Sequence, residues 1–433
     1  MNPRALVALT ALAAAAPPGR IAAQGAERDK CIFQNTPTTT MARDQQPSGH
    51  YNTYLGRGVF VRCPSKELTL RSDSLESYEA DSRLYLIGSV RYNEPRLTLT
   101  SRFLTYHQMF ERIIATGDVV ARLPSGSTLN GPAVEYFRAI PETRPFTRLL
   151  ATQRPTIHVV QKDSTGAPSD TLVVNADRVS MLGDSIVHAS GTVIMTRPEV
   201  EARGDSLFID AVAELMVLMR QPSITGRKGR PFTLTGTRIE ITTKNRELER
   251  VVAMGKATAV SDDVTLTSDT IDLRVRDDLL DRAIAWGPSR ARATSATQTI
   301  EADSVDVRLP GQRIRELFAV GAAVALGQPD TARFKADTID SLHGETIIAR
   351  FDSVATRDTT RAAQLRELAA HGRARSYYHM TPSDTTIPKA AINYVRGRTI
   401  TVALKEGRAQ RVTVVDSVTG MHLEPKPESR PRP

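Results

Sequence analysis

The sequence has few cysteines and tryptophans and no long hydrophobic run beyond its N-terminal region. Among 433 residues there are two cysteines, Cys31 and Cys63, and one tryptophan, Trp286. A membrane-spanning helix needs about 18 consecutive apolar residues. No run after the N-terminal region reaches that length, which excludes a multi-span helical membrane protein. Two thiols 32 positions apart lack the local pairing of a zinc site. We therefore predict neither a metal site nor a cofactor.

Motifs of the common catalytic classes are also missing. The sequence has no HExxH, GxSxG or GxxxxGK[ST] pattern, and its eight histidines form no i, i+4 pair. The formal net charge of +9 is modest for this length. It suits anionic head groups better than a nucleic-acid partner, which we do not expect. We predict that the protein is not an enzyme and has no catalytic residues.

Residues 1–23 have the pattern of a secretory signal peptide. A short basic start at Arg4 is followed by the largely apolar residues 5–16 and then by small residues up to Ala23. In an exported protein, a single cysteine pair predicts a disulfide between Cys31 and Cys63, two unpaired thiols being the alternative. Residues 24–66 would then form an N-terminal segment that contains this bond and the first strands.

A module of roughly 30 residues recurs along residues 67–423. Its first half begins with Asp, a small or polar residue and an aliphatic one, as in Asp269–Ile271, Asp303–Val305 and Asp337–Ile339. Its second half contains Ala-x-Gly, as in Ala285–Gly287 and Ala319–Gly321. Such self-similarity, over about ten copies, predicts stacked units rather than separate globular domains.

Alternation inside the modules predicts β-strands. Ile271, Leu273 and Val275 alternate with polar residues, which is the period of a strand with one buried face. The glycine of Ala-x-Gly falls inside such a pattern and predicts a bend or bulge. The repeated aspartate is expected at a turn or strand entry, where its side chain accepts backbone N–H groups. Paired carboxylates of a polysaccharide-acting enzyme are the less favoured alternative.

Three segments depart from the regular pattern. Arg361–Ala370 also fits helical spacing, but its alignment with the repeat favours a strand. The interval from Asp337 to Gly372 is longer than in neighbouring modules, which predicts an extra hairpin near Asp340–Arg357. Residues 424–433 contain four prolines and are predicted to be disordered.

The repeat resembles that of a known family. The copies at Arg112–Val119 and Arg250–Lys256, alternating with Ala176–Arg178 and Ala302–Ser304, resemble the OstA/LptA family of periplasmic lipopolysaccharide-transport proteins. The resemblance covers roughly Leu68–Leu423. It implies an all-β fold, an elongated β-jellyroll of two facing antiparallel sheets that form an open slot. It also implies a location in the periplasm, in association with the outer membrane.

The same resemblance implies a lipopolysaccharide-binding and transport bridge that shelters lipid acyl chains in the slot during outer-membrane assembly. The expected partners are lipopolysaccharide or a related glycolipid, other jellyroll components of the bridge, the outer-membrane assembly barrel and, end to end, further copies of this chain. Alternation alone equally fits a closed core, so a structural or adhesive β-solenoid at the cell surface without lipid cargo remains the alternative. The candidate lipid-binding residues are the aliphatic ones predicted for the inner face: Leu97, Leu99, Val193, Leu207, Ile209, Ile239, Ile241, Ile271, Leu273, Val305, Val307 and Ile339.

A cluster of basic residues has two interpretations. Arg227, Lys228 and Arg230 surround a glycine in a predicted turn. The simpler interpretation is a solvated turn, and the functional one is a contact for phosphate on an anionic lipid.

Overall fold

The fold, seen in a computed structural model, is all-β, as predicted. The structure describes residues 31–426, apart from 35–36, 163–167, 199, 228–230, 245–246, 262–263, 278, 330–333, 353–362, 385–386 and 406–407. The predicted signal peptide lies outside the described residues. The described part holds three short 3-10 turns, Pro64–Lys66, Gln108–Phe110 and Pro310–Gln312. Its strands are β1 Ile32–Gln34, β2 Thr40–Gln45, β3 Tyr51–Gly56, β4 Val59–Cys63, β5 Leu68–Ser72, β6 Ser74–Tyr78, β7 Arg83–Glu94, β8 Leu97–His107, β9 Arg112–Arg122, β10 Thr128–Phe137, β11 Arg148–Thr152, β12 Thr156–Lys162, β13 Pro168–Asn175, β14 Arg178–Leu182, β15 Ile186–Thr196, β16 Val200–Asp210, β17 Leu215–Met219, β18 Ser223–Gly226, β19 Phe232–Thr235, β20 Arg238–Lys244, β21 Glu247–Ser261, β22 Thr265–Arg276, β23 Leu279–Thr294, β24 Gln298–Arg308, β25 Glu316–Gly327, β26 Asp340–Phe351, β27 Leu365–Met380, β28 Ala391–Lys405, β29 Arg408–Val415 and β30 Thr419–Leu423.

The strands pair antiparallel and divide into two hydrogen-bonded ladders. In β7, Arg83–Ile87 pairs with Phe103–His107 of β8, whereas Val90–Glu94 pairs with Leu97–Ser101. A long strand therefore bends in its middle and gives one half to each ladder. We call the ladder that contains Arg83–Ile87 the first ladder and the one that contains Val90–Glu94 the second ladder.

Both ladders run the length of the described chain. The first begins with β2 and β3 and ends with β29, and the second begins with β1 and β4 and ends with β30. Some rungs consist of two short consecutive strands instead of one long bent strand. β11 forms the half of such a rung in the first ladder, and β12 forms the half in the second ladder. Each rung pairs with the rungs before and after it, so the architecture is a stack.

The bends lie at the glycines of the Ala-x-Gly pattern, which confirms the predicted bulges at these positions. Gly117 has a φ of +81° and Asp118 a φ of +50°, and the strand register shifts beside them. Gly321 and Ala322 repeat this with φ values of +90° and +43°. Two consecutive left-handed residues turn the chain from one ladder into the other, and glycine adopts the first of these conformations without a Cβ clash.

An acidic side chain packs over several of these glycines from the adjacent rung. A Cβ on Gly321 would lie 2.2 Å from Oδ2 of Asp303, and one on Gly191 would lie 2.4 Å from Oδ2 of Asp177. Asp303 lies in the middle of β24, at the bend, so the predicted strand-entry position is wrong there. The repeated aspartates occupy the corners between ladders because only a glycine on the neighbouring rung leaves room for them.

For the module that begins at Asp337, the predicted positions of the bend and of the inner-face residue are also wrong. The bend of β26 falls between His343 and Thr346, and Glu345 rather than Asp337 packs over the next glycine, Gly372. Ile339 consequently precedes the strand and is 45% exposed, instead of lying on the inner face. Ile347 takes the buried position.

Three local predictions can be compared with the structure. Residues 340–351 form the single strand β26 between β25 and β27, so the extra hairpin predicted there is wrong, and residues 353–357 lie outside the described part. Leu365–Met380 is a strand, as the repeat favoured. Glu424, the first residue of the predicted disordered tail, accepts hydrogen bonds from Ser383, and residues 427–433 are not described.

The predicted disulfide is present between Cys31 and Cys63. Cys63 ends β4 and is fully buried, and Cys31 immediately precedes β1, which pairs with β4 over only three residues. The bond therefore ties a short edge strand to the second ladder.

Candidate functional site

The predicted inner-face residues lie between the two ladders. Ile209 is half-buried and packs against the core, and Ile339 is the exposed exception described above. The remaining ten expose at most 4% of their surface, so the protein's own ladders cover them: Leu97, Leu99, Val193, Leu207, Ile239, Ile241, Ile271, Leu273, Val305 and Val307.

Side-chain size changes along this interior. Every buried apolar residue from Leu55 to Ile113 is larger than alanine, with leucine the most frequent. Between Val251 and Ala325, ten of the twenty buried apolar residues are alanine. One of these alanines, Ala293, lines the larger of the two mouth cavities described below.

At the early rungs a polar cluster bridges the ladders on the side opposite the bends, which we call the mouth. Lys66 follows the end of β4 in the second ladder, and its ammonium pairs with the Glu111 carboxylate beside the first ladder. Arg138 of the first ladder pairs with Glu94 of the second and donates through Nη1 to Glu111 Oε2 at 2.9 Å. We call Lys66, Glu94, Glu111 and Arg138 the clasp.

Tyrosines complete the clasp. Tyr106 donates from its hydroxyl to Glu111 Oε2 at 2.7 Å, and Tyr136 donates to Glu94. Burial raises the pKa of both phenols, so they remain donors at neutral pH. Burial alone would raise the pKa of Glu111, but hydrogen bonds from Lys66, Tyr106 and Arg138 outweigh it and hold that pKa below its usual value. The clasp therefore contains an ionised carboxylate that joins the two ladders.

A cavity of about 80 Å³ opens at the mouth near the middle of the stack. Met195 and Phe232 line it from the second ladder, and Met216, Leu248 and Val275 line it from the first. Most of the lining is aliphatic, and the methionines are flexible enough to adapt to an irregular apolar guest.

A larger cavity of about 290 Å³ lies further along the mouth. Val264 and Gln298 line it from the second ladder, and Leu317, Phe351 and Leu365 line it from the first. Its volume is close to the lower end of the range for small-molecule sites, about 300 Å³. Oε1 of Gln298 is buried, and no described residue donates a hydrogen bond to it. Most of the lining is apolar, and its polar members are Thr294, Ser295, Thr297, Gln298 and Gln364. A largely apolar cavity with one unsatisfied acceptor is suited to a lipid chain attached through an amide or hydroxyl group.

The sequence prediction missed the clasp and most of the cavity linings, although two of the predicted inner residues, Ile241 and Leu273, line the middle cavity. Glu94 continues the buried alternation of Val90 and Tyr92, and Arg138 continues that of Val134 and Tyr136. A charged residue in phase with a buried row was therefore the available signal. The linings lie at strand ends, where alternation gives no information about which loops meet across the mouth.

The other candidate residues have local roles. Asp269 accepts the backbone N–H of Ser289 and its hydroxyl at the corner of the stack. Trp286 is 37% exposed in β23. Arg227 pairs with Glu201, and the rest of that basic cluster lies outside the described residues. The described residues contain no group of three His, Cys, Asp or Glu side chains placed to hold a metal ion.

No protein-family model matches the sequence, and no curated protein is significantly similar to it. In the described part of the chain, no helix has the length and apolar character needed to cross a membrane.

Proposed function

We propose that the protein is a periplasmic lipid carrier that holds acyl chains of lipopolysaccharide, or of a related glycolipid, between its two ladders. The fold would be a β-jellyroll of the OstA/LptA type, with the bends as its closed side and the mouth as its slot. The observation that carries this proposal is the pair of apolar cavities, each lined from both ladders at the mouth. Neither contains the bridging ion pairs that define the clasp.

The energetics favour an acyl chain as the guest. Each methylene removed from water contributes about 0.8 kcal/mol, so a few methylenes in these cavities would give measurable binding. The two cavities supply the space, and a modest outward movement of the ladders would enlarge it. Directional transport would need an energy source in a partner, because no nucleotide-binding motif is present.

The ends of the stack suit assembly by strand addition. Within the described chain, β29 and β30 pair only with β28, and β2 pairs only with β3. Their outer edges present backbone N–H and C=O groups that another jellyroll, or a second copy of this chain, would satisfy. We propose these edges as the contacts with other bridge components and with the outer-membrane assembly barrel.

Mass spectrometry of lipid that co-purifies with the exported chain tests the proposal. Val275→Trp should fill the middle cavity and reduce the lipid bound per protein relative to the wild type. Val120→Trp is the matched control, because Val120 lies on the outer surface of a strand and is 37% exposed. A lipid-free wild-type protein, or equal lipid loss in both variants, would refute the site.

One observation favours the alternative of a structural or adhesive β-solenoid. Ten predicted inner residues are already covered by protein, and the middle cavity is small. If a photo-crosslinker in place of Met195 or Leu365 captures no lipid in cells, while the protein is exported and folded, a closed core without cargo becomes the better description.

A further inference from the structure

Aromatic and acidic side chains form a third cavity on the outer surface of the first ladder, away from the mouth. Glu76 of β6 is the register partner of Tyr85 in β7, and Ile87 of β7 is the partner of Phe103 in β8. Their neighbours Leu84, Leu86 and Leu104 are buried in the core, so these residues face outward. Phe103 is 52% exposed, which is unusual for a ring of this size.

The cavity has a volume of about 330 Å³. Three rings line it, those of Tyr78, Tyr85 and Phe103, together with the carboxylates of Glu76 and Asp81. We call these five residues the aromatic pocket. The rings of Tyr78 and Tyr85 pack edge to face, with centroids 5.6 Å apart and planes at 89°.

Contacts around Tyr78 hold this arrangement in place. The Tyr78 ring also packs edge to face against Tyr54, with centroids 6.3 Å apart. Its hydroxyl donates to Glu76 Oε2 at 2.9 Å. That hydrogen bond is the main reason why the pKa of Tyr78 is raised to about 12, so the phenol stays neutral and the Glu76 carboxylate supplies the negative charge.

The charge of the lining selects the kind of guest. The residues that line the cavity include two carboxylates and no lysine, arginine or histidine. The nearby Arg83 guanidinium donates to the Tyr85 hydroxyl at 2.9 Å and lies 5.9 Å from the centroid of the Tyr85 ring, so one of the three rings already contacts a cation of the chain. Aromatic faces carry a negative quadrupole and attract cations, most strongly when several rings and a carboxylate act together.

We propose that the aromatic pocket binds a small organic ammonium group. Methylated ammonium fits best, because it offers apolar methyl groups to the rings and a diffuse positive charge to Glu76 and Asp81. The site lies on the surface opposite the proposed lipid-binding interior and does not depend on it. The ammonium group would come either from a free amine or from a phospholipid headgroup.

Binding of choline, compared with its uncharged isostere 3,3-dimethylbutan-1-ol, tests the proposal. Titrations followed by NMR of the aromatic side chains should show choline binding to the intact protein and at least about ten-fold weaker binding of the alcohol. Equal binding of the two would mean that the pocket recognises apolar shape only, and absence of choline binding would also overturn the proposal.

Variants identify the groups responsible. Glu76→Gln and Phe103→Ala should each weaken choline binding about five-fold, whereas Phe103→Tyr should retain it. Asp44→Asn is the matched control, since Asp44 is an exposed carboxylate in β2 outside the pocket. If Asp44→Asn weakens binding as much as Glu76→Gln, the attraction is a general charge effect and the pocket is refuted. Sedimentation with phosphatidylcholine vesicles then distinguishes a phospholipid headgroup from a free amine as the source of the ammonium group. Co-sedimentation that Phe103→Ala abolishes indicates a headgroup. Choline binding without co-sedimentation indicates a free amine.

Discussion

Arg138 and Glu94 form an ion pair that joins the two ladders at the mouth of the stack. The guanidinium extends from the end of β10 in the first ladder, and the carboxylate ends β7 in the second. The side chains expose 16% and 4% of their surface, so water screens the pair much less than it screens a surface ion pair. The early rungs are thereby bridged at the mouth by charged groups, and the cavity of about 340 Å³ beside this bridge is lined by Lys66, Glu94 and Arg138.

Arg138→Met should destabilise the protein by about 3 kcal/mol, because it leaves Glu94 buried without its cation and leaves Glu111 paired only with Lys66. Urea unfolding gives the free energy directly. Replacing Glu94 with Leu in the same chain should recover part of the loss, since an apolar pair no longer buries an unpaired charge. The surface pair of Arg102 and Asp118, whose side chains are 69% and 75% exposed, provides the control: Asp118→Asn should change stability by less than about 1 kcal/mol.

Acid should weaken the clasp through Glu111. Its pKa is lower in the folded protein than the ordinary value of 4.5, because three hydrogen-bond donors stabilise the carboxylate against the opposing effect of burial. A depressed carboxyl pKa contributes stability above about pH 4.5, and this contribution is lost as the pH falls through the folded pKa. Unfolding free energies measured from pH 7 to pH 3 should therefore fall less steeply for Glu111→Gln than for the wild type. Glu249→Gln, at an exposed position, should leave the slope unchanged.

Two glycines separate backbone strain from side-chain clash. Gly321 and Gly126 have φ values of +90° and +89°, but only Gly321 has a side chain, that of Asp303, against the place of its missing Cβ. Gly126→Ala should lower the free energy of unfolding by about 1 kcal/mol, because alanine is strained at this positive φ. Gly321→Ala should lower it by at least about 1 kcal/mol more, because its Cβ also clashes with Asp303. Adding Asp303→Ala to Gly321→Ala should remove most of the difference in thermal or urea unfolding. Equal costs at the two glycines would show that the corner tolerates a Cβ.

Reduction of the disulfide should loosen the first strand selectively. The bond between Cys31 and Cys63 closes a loop over a sequence separation of 32, which corresponds to about 3–4 kcal/mol on the chain-entropy model. β1 has only three residues and pairs only with β4 within the described chain, whereas β2 is held by a six-residue pairing with β3. Hydrogen exchange of Ile32–Gln34 should accelerate after reduction, while that of β24 and β25 should not. Uniform acceleration along the chain would contradict a local role.

Period-two alternation was sufficient to predict the strands and most of the inner residues, because a buried strand face leaves a direct mark on the sequence. The phase of one module was missed, since Asp337 matches the pattern while Glu345 performs the packing over Gly372. The clasp and the cavity-lining residues other than Ile241 and Leu273 were missed for a different reason. They depend on which strand ends meet across the mouth, and that is set by the three-dimensional path of the two ladders rather than by any local period.

Each rung pairs only with the rungs before and after it. The fold therefore allows the number of rungs to vary. Adjacent rungs are spaced about 4.8 Å apart, so gaining or losing one antiparallel hairpin would change the length of the molecule by about 10 Å without altering the corners of the others. Duplication of a single gene segment would therefore lengthen such a protein by whole rungs.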